Sequence, residues 1–280
     1  MPVQHSIIGL PRSGKTTFLA ALWHLLNAGE ISTKLTLDRL VGDSEHLNAI
    51  ADSWRRCEEV PRTSIADEAY VSIHVRVPAT GDKASLVFPD LSGESFERQL
   101  GTRRCLASYV EGFEGPGGIL LFVTADRPSD GITLLDLGPD LNGSEGASES
   151  APAHEWTPEM IPQQVGLVEL LQFLQQAPFE VRRRKVALII SAWDIVADSA
   201  LMPDGWLRRE MPLLYQFLET NPGDFAWRAY GVSAQGGDLR TPVREALLRK
   251  TPSERITCIG PSAEPHDLTT PILWLMAAEE

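Results

Sequence analysis

Residues 9–16 read Gly9-Leu10-Pro11-Arg12-Ser13-Gly14-Lys15-Thr16, and this stretch decides the fold because it matches the pattern G-x-x-x-x-G-K-[ST]. A short apolar run, residues 3–8, precedes the pattern and is typical of a buried strand. Residues 15–27 follow it with apolar side chains at helical spacing. This order of strand, loop and helix predicts an α/β protein.

The loop has the chemistry of a phosphate-binding site. Its glycines allow successive backbone N–H groups to point at one anion, and the following helix presents its positive N-terminal end. Lys15 is expected to neutralise β- and γ-phosphate oxygens, and the Thr16 hydroxyl to ligate Mg²⁺. An ordinary glycine-rich turn is the alternative interpretation. The residues predicted to contact a nucleoside triphosphate are Pro11, Arg12, Ser13, Gly14, Lys15, Thr16 and Thr17.

A second phosphate-binding element is predicted after a β-hairpin. Apolar and polar residues alternate over residues 70–77, which predicts a strand with one wet face, and an apolar strand follows at 84–88. Asp90 comes directly after this second strand and is expected to hold the Mg²⁺ shell opposite Thr16. Gly93 can offer its backbone N–H to a γ-phosphate. A simple turn is the alternative interpretation of this segment.

Charge and composition exclude several classes of protein. The 280 residues include 38 acidic and 25 basic side chains, a net charge of −13, while 43% of the residues are hydrophobic. Such a chain forms a core but lacks a general electrostatic attraction for nucleic acid or anionic lipid, so no nucleic-acid partner is expected. The longest apolar runs, 119–123 and 186–190, are too short for a membrane span and indicate buried strands. Three well-separated cysteines favour a reducing, cytoplasmic location.

The sequence predicts one domain over residues 1–280, interrupted by an acidic insertion. Residues 126–160 are rich in Gly, Ser and Pro and have no clear period. Eight acidic residues and one basic residue lie within 126–159, so this segment carries −7 of the net charge of −13. Elsewhere, helical periodicity predicts single continuous helices over residues 95–111 and 205–220.

Together these motifs resemble the translation-factor-related (TRAFAC) class of P-loop GTPases, in which the strand carrying D-x-x-G pairs with an antiparallel neighbour. Residues 9–26, GLPRSGKTTFLAALWHLL, are similar to bacterial double-GTPase proteins associated with conflict and defence gene neighbourhoods. The resemblance implies an α/β P-loop NTPase fold with a mostly parallel sheet, one antiparallel edge strand and helices on both faces. It also implies GTP or GDP and Mg²⁺ as ligands.

The resemblance assigns guanine recognition to two further segments. The class reads guanine with N-K-x-D after the fifth strand of its core, where this chain has SAWD at 191–194. Only Asp194 is retained, to accept hydrogen bonds from the base, and Trp193 is expected to stack on the base if its ring turns inward. Capping of a turn is the alternative role for Asp194. Ser233 and Ala234 match the S-A-x loop whose backbone contacts the guanine O6 in this class.

Several departures from the class concern hydrolysis. Glu94 stands where the class commonly has Gln, and an ionised carboxylate cannot donate a hydrogen bond to the transferring phosphoryl group. We therefore expect slow turnover, with Lys15, Gly93 and Glu94 as the catalytic group. Pro11 adds bulk and removes one N–H donor near the γ-phosphate. Arg12 either faces solvent or places its charge on the phosphate.

The sequence gives less information about the remaining Mg²⁺ ligand and about the cellular role of nucleotide binding. A threonine between the first helix and the hairpin should reach Mg²⁺; Thr63 is the candidate, with Thr36, Thr33 and Ser64 as alternatives. The expected function is a GTP-dependent switch for a protein partner, which would be a second GTPase-like subunit, an effector or an activating protein, in a bacterial defence system. The alternatives are a non-hydrolysing scaffold subunit and an ATP-specific P-loop NTPase.

Overall fold

The computed structural model describes residues 3–41, 44–60, 72–88, 94–126, 161–240 and 242–278. The strands within these residues are β1 (Val3–Gly9), β2 (Thr36–Val41), β3 (Ser72–Arg76), β4 (Lys83–Val87), β5 (Ile119–Thr124), β6 (Arg184–Ser191), β7 (Phe225–Ser233) and β8 (Thr257–Ile259). The helices are α1 (Lys15–Ala28), α2 (Ser44–Arg55), α3 (Glu94–Thr102), α4 (Ala107–Glu111), α5 (Gln163–Phe173), α6 (Pro203–Glu210), α7 (Pro212–Thr220), α8 (Val243–Leu248), α9 (Pro252–Arg255) and α10 (Thr270–Met276).

All eight strands form one sheet in the order β2-β3-β4-β1-β5-β6-β7-β8. The five central strands from β4 to β7 are parallel to one another, whereas β3 pairs antiparallel with β4, as the D-x-x-G hairpin predicts. The mostly parallel α/β fold is therefore confirmed. One further strand extends each edge of the sheet. β2 pairs antiparallel with β3 at one edge, and β8 pairs antiparallel with β7 at the other.

The strand order brings several loops to one edge of the sheet. β1 lies between β4 and β5, and its last residue, Gly9, is paired with Phe122 of β5. β6 ends at Ser191, which is paired with Val232 of β7. Because parallel strands run in the same direction, the loops that follow β1, β6 and β7 leave the sheet at its carboxyl edge, where open α/β sheets bind ligands.

Buried side chains cover both faces of the sheet, as strand periodicity requires. Ile7 packs in a cluster with residues of α1, α2 and α10, which include Phe18, Leu22, Trp54 and Ile272. Ile8, one residue on, packs in a second cluster with residues of α5, α6 and α7, which include Leu167, Trp206 and Leu214. Helices therefore cover both faces, as predicted. Within the described residues, no helix combines the length and apolar character needed to cross a bilayer.

The polar face of β3, which the alternation predicts to be exposed to solvent, is mostly buried. Ser72 and His74 are buried, and Arg76 alone among the three polar residues of this face is exposed. The hydroxyls of Ser72 and Ser85, on adjacent strands, share a hydrogen bond of 2.7 Å. The two hydroxyls satisfy each other, so this polar pair needs no contact with water.

Candidate functional site

The loop between β1 and α1 has the backbone conformation that anion binding requires. Gly14 is the N-cap of α1, with φ of +90°, and Arg12 is also left-handed, with φ of +62°. A chain that alternates in this way turns successive N–H groups toward one point, which creates a concave anion site. The first turn of α1 contains no acidic residue, so the positive end of the helix is not neutralised from within.

Lys15 lies along this loop rather than out in solvent. Its side chain is only 3% exposed, and its Nζ donates hydrogen bonds to the carbonyl oxygens of Gly9, at 2.7 Å, and Leu10, at 3.0 Å. The ammonium is thus held at the two residues that open the loop. A phosphate bound by the loop N–H groups would meet a positive charge that is already in position.

Two glycines are required by the close packing of the loop. An added Cβ on Gly9 would lie 2.7 Å from Ser13 Oγ and 2.8 Å from Phe122 Cβ. An added Cβ on Gly14 would lie 2.8 Å from both Cβ and Oγ of Ser191. Such approaches are far inside van der Waals contact, so the glycines of the motif are set by sterics as well as by phosphate chemistry.

Ser191, at the end of β6, holds the phosphate loop from the side. Its Oγ donates a hydrogen bond to the carbonyl oxygen of Ser13 at 2.8 Å. Ser191 occupies the Asn position of the N-K-x-D pattern, where the function of the Asn is either absent or replaced. The structure shows that the hydroxyl joins the phosphate loop to the strand that leads to Asp194.

The carboxylate of Asp194 is fixed by the loop that follows β7. Ser233 Oγ donates a short hydrogen bond to Asp194 Oδ1, and the N–H of Gly236 donates to Ser233 Oγ at 3.1 Å. Ser233 is 2% exposed, whereas the Asp194 side chain is exposed. The carboxylate is therefore anchored on its buried side and open to solvent on another, as an acceptor for N–H groups of a base must be.

Trp193 lies away from this carboxylate, in the core. It is 2% exposed, covers Gly231 so closely that an added Cβ there would lie 2.3 Å from its ring, and makes an edge contact with Trp206 at 6.4 Å between ring centroids. A ring buried in this way has no free face for a base. Stacking by Trp193 stays a prediction, and this packing counts against it.

Several predicted site residues fall outside the described residues. These are Thr63, Ser64, Asp90 and Gly93; Glu94 begins α3, but its side chain is not described. Of the alternative threonines, Thr36 begins β2 and Thr33 Oγ1 donates to the carbonyl of Leu35 at 2.7 Å. In the part of the chain that the structure covers, no cluster of three or more His, Cys, Asp or Glu residues could hold a metal. Magnesium ligation by Thr16, which is half-buried next to Lys15, stays a prediction.

Comparison with known proteins finds one family that matches most of this chain. A family model described as Double-GTPase 1 matches residues 6–275. No match was found among curated proteins. Among solved structures, the chain is similar to the GTPase-like domain of S. cerevisiae Ski7 bound to GTP, with 11% identity and a TM-score of 0.39 over 85% of this chain and 44% of that chain. It is also similar to the cytosolic domain of the T. maritima FeoB iron transporter in GMPPNP form, with 12% identity and a TM-score of 0.29 over 89% and 65%. This chain spans less than two thirds of either.

Proposed function

This chain belongs to the Double-GTPase 1 family, which confirms its resemblance to double-GTPase proteins, and on that premise we propose that it binds GTP and GDP with Mg²⁺. One observation carries the proposal: the phosphate loop and the anchored carboxylate of Asp194 lie at one edge of the sheet, joined through Ser191. A phosphate site and a base site at one edge are what a nucleotide of this kind needs.

The residues of the phosphate loop have separate roles in binding the phosphates. Backbone N–H groups from Ser13 to Thr17 bind phosphate oxygens at the positive end of α1, and Lys15 moves from its carbonyl partners to the β- and γ-phosphates. Thr16 offers a hydroxyl ligand, together with Asp90 and Thr63, to Mg²⁺. The ion, when bound, neutralises charge on the β- and γ-phosphate oxygens.

Asp194 gives the base preference. Its carboxylate accepts hydrogen bonds from N1 and the 2-amino group of guanine, while adenine offers neither donor at these positions. Because Ser233 already fixes one carboxylate oxygen, little side-chain freedom is lost when the base binds. The backbone of Ala234 contacts the guanine O6, which lies next to N1 on the same edge of the base.

We further propose slow hydrolysis. A water oxygen forms a bond to the γ-phosphorus, the bond from phosphorus to the β,γ-bridging oxygen breaks, and GDP leaves with that electron pair. Both protons of the water remain on the inorganic phosphate. Lys15 stabilises the charge that develops, Gly93 binds the γ-phosphate, and Glu94 orients the water without donating to the phosphate. The result is a nucleotide-dependent switch for a protein partner, in a bacterial defence setting that the resemblance suggests.

Nucleotide binding by the purified protein tests this proposal. We expect the copurifying nucleotide to be GDP or GTP, and added GTP to bind at least tenfold more tightly than ATP. Lys15→Ala should abolish binding, Asp194→Ala should remove the preference for GTP, and Lys250→Ala, at an exposed lysine two residues after α8, should change neither. Preferred binding of ATP that Asp194→Ala leaves unaltered would contradict the proposal. Binding without phosphate release would identify the scaffold alternative.

A further inference from the structure

Trp54, near the end of α2, contacts the loop that follows β7. Its side chain is fully buried, and its indole Nε1 donates a hydrogen bond to the carbonyl oxygen of Ala234 at 2.9 Å. Gln235 Nε2 donates in return to the carbonyl oxygen of Trp54 at 3.3 Å. The contact is therefore reciprocal, and it joins α2 to two consecutive residues of the loop.

The end of α2 is bound to the chain beyond this loop by two further arginines. Arg255, itself 5% exposed, donates from Nη1 to the carbonyl oxygen of Arg55 at 2.8 Å and to Cys57 Sγ at 3.1 Å. Arg244 Nε donates to the carbonyl oxygen of Cys57 at 2.9 Å. The last carbonyls of a helix lack partners within the helix and attract cations. Here Arg255 meets this need at Arg55 and Arg244 binds the turn that follows α2; both arginines come from the segment after β7.

The loop has no regular secondary structure, and two local hydrogen bonds, from Gly236 N–H to Ser233 Oγ at 3.1 Å and from Arg240 N–H to Asp238 Oδ1 at 2.8 Å, leave the Ala234 carbonyl to a partner outside it. Residues 234–239 contain no helix or strand, and Gly236 and Gly237 both have positive φ, +89° and +159°. Its first residue follows Ser233, which anchors Asp194. Contacts from outside the loop therefore help to fix where the Ala234 backbone lies relative to that carboxylate.

We propose that α2 is a positioning element for base recognition and that Trp54 is its positioning residue. This inference rests on the proposed function, in which Asp194 contacts N1 and the 2-amino group of guanine and the Ala234 backbone contacts the neighbouring O6. By holding the Ala234 carbonyl, Trp54 sets the orientation of the peptide groups that reach the O6 side of the base. Trp54 acts through the loop and does not touch the nucleotide.

Trp54→Phe tests the inference because it keeps a large aromatic ring and removes the N–H donor. The matched control is Trp23→Phe: Trp23, 7% exposed on α1, donates from Nε1 to Asn48 Oδ1 of α2 at 2.9 Å, so its loss weakens the same helix pair without touching the loop. Affinity is measured for GTP and for 2-aminopurine riboside triphosphate, which retains the 2-amino group and lacks both O6 and the N1 proton; the analogue binds more weakly from the start, and the comparison is of the change that each variant causes.

We expect Trp54→Phe to weaken GTP binding by roughly three- to tenfold, the range for one lost neutral hydrogen bond, and to change binding of the analogue less than twofold. Trp23→Phe should alter neither affinity by more than twofold. If Trp54→Phe does not fold, Gln235→Met removes the return hydrogen bond alone and should produce a smaller loss with the same selectivity.

Three outcomes overturn the inference. Equal weakening of GTP and the analogue would mean that Trp54 is merely structural, and no weakening of either would mean that the loop is positioned without α2. Equal effects of Trp54→Phe and Trp23→Phe would point to general loosening of the α1–α2 pair. Wild-type protein that binds neither nucleotide would refute the proposed function itself, which separates the two failures.

Discussion

A glycine flanks α1 at each end. Replacing each by alanine separates the free-energy cost of an added side chain in the phosphate loop from the cost of left-handed backbone. Gly14 precedes the helix with φ of +90°, and Gly29 follows it with φ of +61°. An added Cβ at Gly29 meets nothing within 4 Å, whereas at Gly14 it lies 2.8 Å from Ser191. The destabilisation caused by Gly14→Ala should therefore exceed that caused by Gly29→Ala mainly because of the steric clash with Ser191.

The expected magnitudes follow from these geometries. Left-handed backbone costs a non-glycine residue about 1–2 kcal/mol, and the stiffer unfolded chain returns about 0.4–1 kcal/mol, so Gly29→Ala should lower the free energy of unfolding by about 1 kcal/mol. Gly14→Ala adds an overpacking cost of about 1–3 kcal/mol and should lose about 2–4 kcal/mol in total. It should also displace Ser191 from the Ser13 carbonyl and weaken GTP binding at least tenfold.

Urea unfolding and calorimetric titration with GTP measure both quantities. Gly29→Ala should bind GTP like the wild type, and the double variant Gly14→Ala with Ser191→Gly, which removes both clashing atoms, should recover part of the lost stability. A Gly14→Ala protein as stable as Gly29→Ala, with unchanged GTP affinity, would refute the steric reasoning.

Three further perturbations test other parts of the molecule. Ser191→Ala removes the hydrogen bond to the phosphate loop and should weaken GDP binding several-fold, by about 1 kcal/mol, in the same titration. Ser233→Ala frees the carboxylate of Asp194 and should lower the ratio of GTP to ATP affinity while leaving ATP binding unaltered. Burial and two nearby cations lower the pKa of His5 to about 4, so the unfolded chain binds the extra proton first. The free energy of unfolding should therefore fall by up to about 3 kcal/mol between pH 6.5 and 4. His5→Asn, which keeps an acceptor for the Gly118 N–H, should flatten that dependence in urea titrations at each pH.

Elements with a strong apolar period could be predicted from the sequence, and breaks within them could not. The segment expected as one helix over 205–220 is interrupted at Met211, whose φ of −130° is not helical, because Pro212 disfavours helical backbone in the residue before it. The helix expected over 95–111 likewise ends before Arg103, which is left-handed. β2 was not predicted, and a register irregularity between Leu37 and Arg39 disturbs its alternation.

The candidate site likewise contains a part that could be predicted from neighbouring residues and a part that depends on residues far apart in the sequence. The phosphate loop could be predicted because its chemistry lies in eight consecutive residues. The hydrogen bond from Ser191 to Ser13 spans 178 positions, and that from Trp54 to Ala234 spans 180. A serine or tryptophan carries no local signal for such a partner, since the contact exists only after the sheet and helices have formed.

These distant contacts bear on how the chain dispenses with two residues of the N-K-x-D pattern. The hydroxyl of Ser191 reaches the phosphate loop where the class has Asn. Ala192 stands where the class has Lys, and its methyl group is too short to stack on a base. Trp193 turns into the core and packs over Gly231 of β7, which counts against stacking on a base. Under the proposed function, base recognition depends on Asp194 and on the loop after β7, and Trp54 of α2 donates a hydrogen bond to that loop. We therefore expect specificity in this chain to be more sensitive to changes in α2 than to conservative changes at Trp193; a Trp193→Phe protein that loses GTP preference while Trp54→Phe retains it would reverse that order.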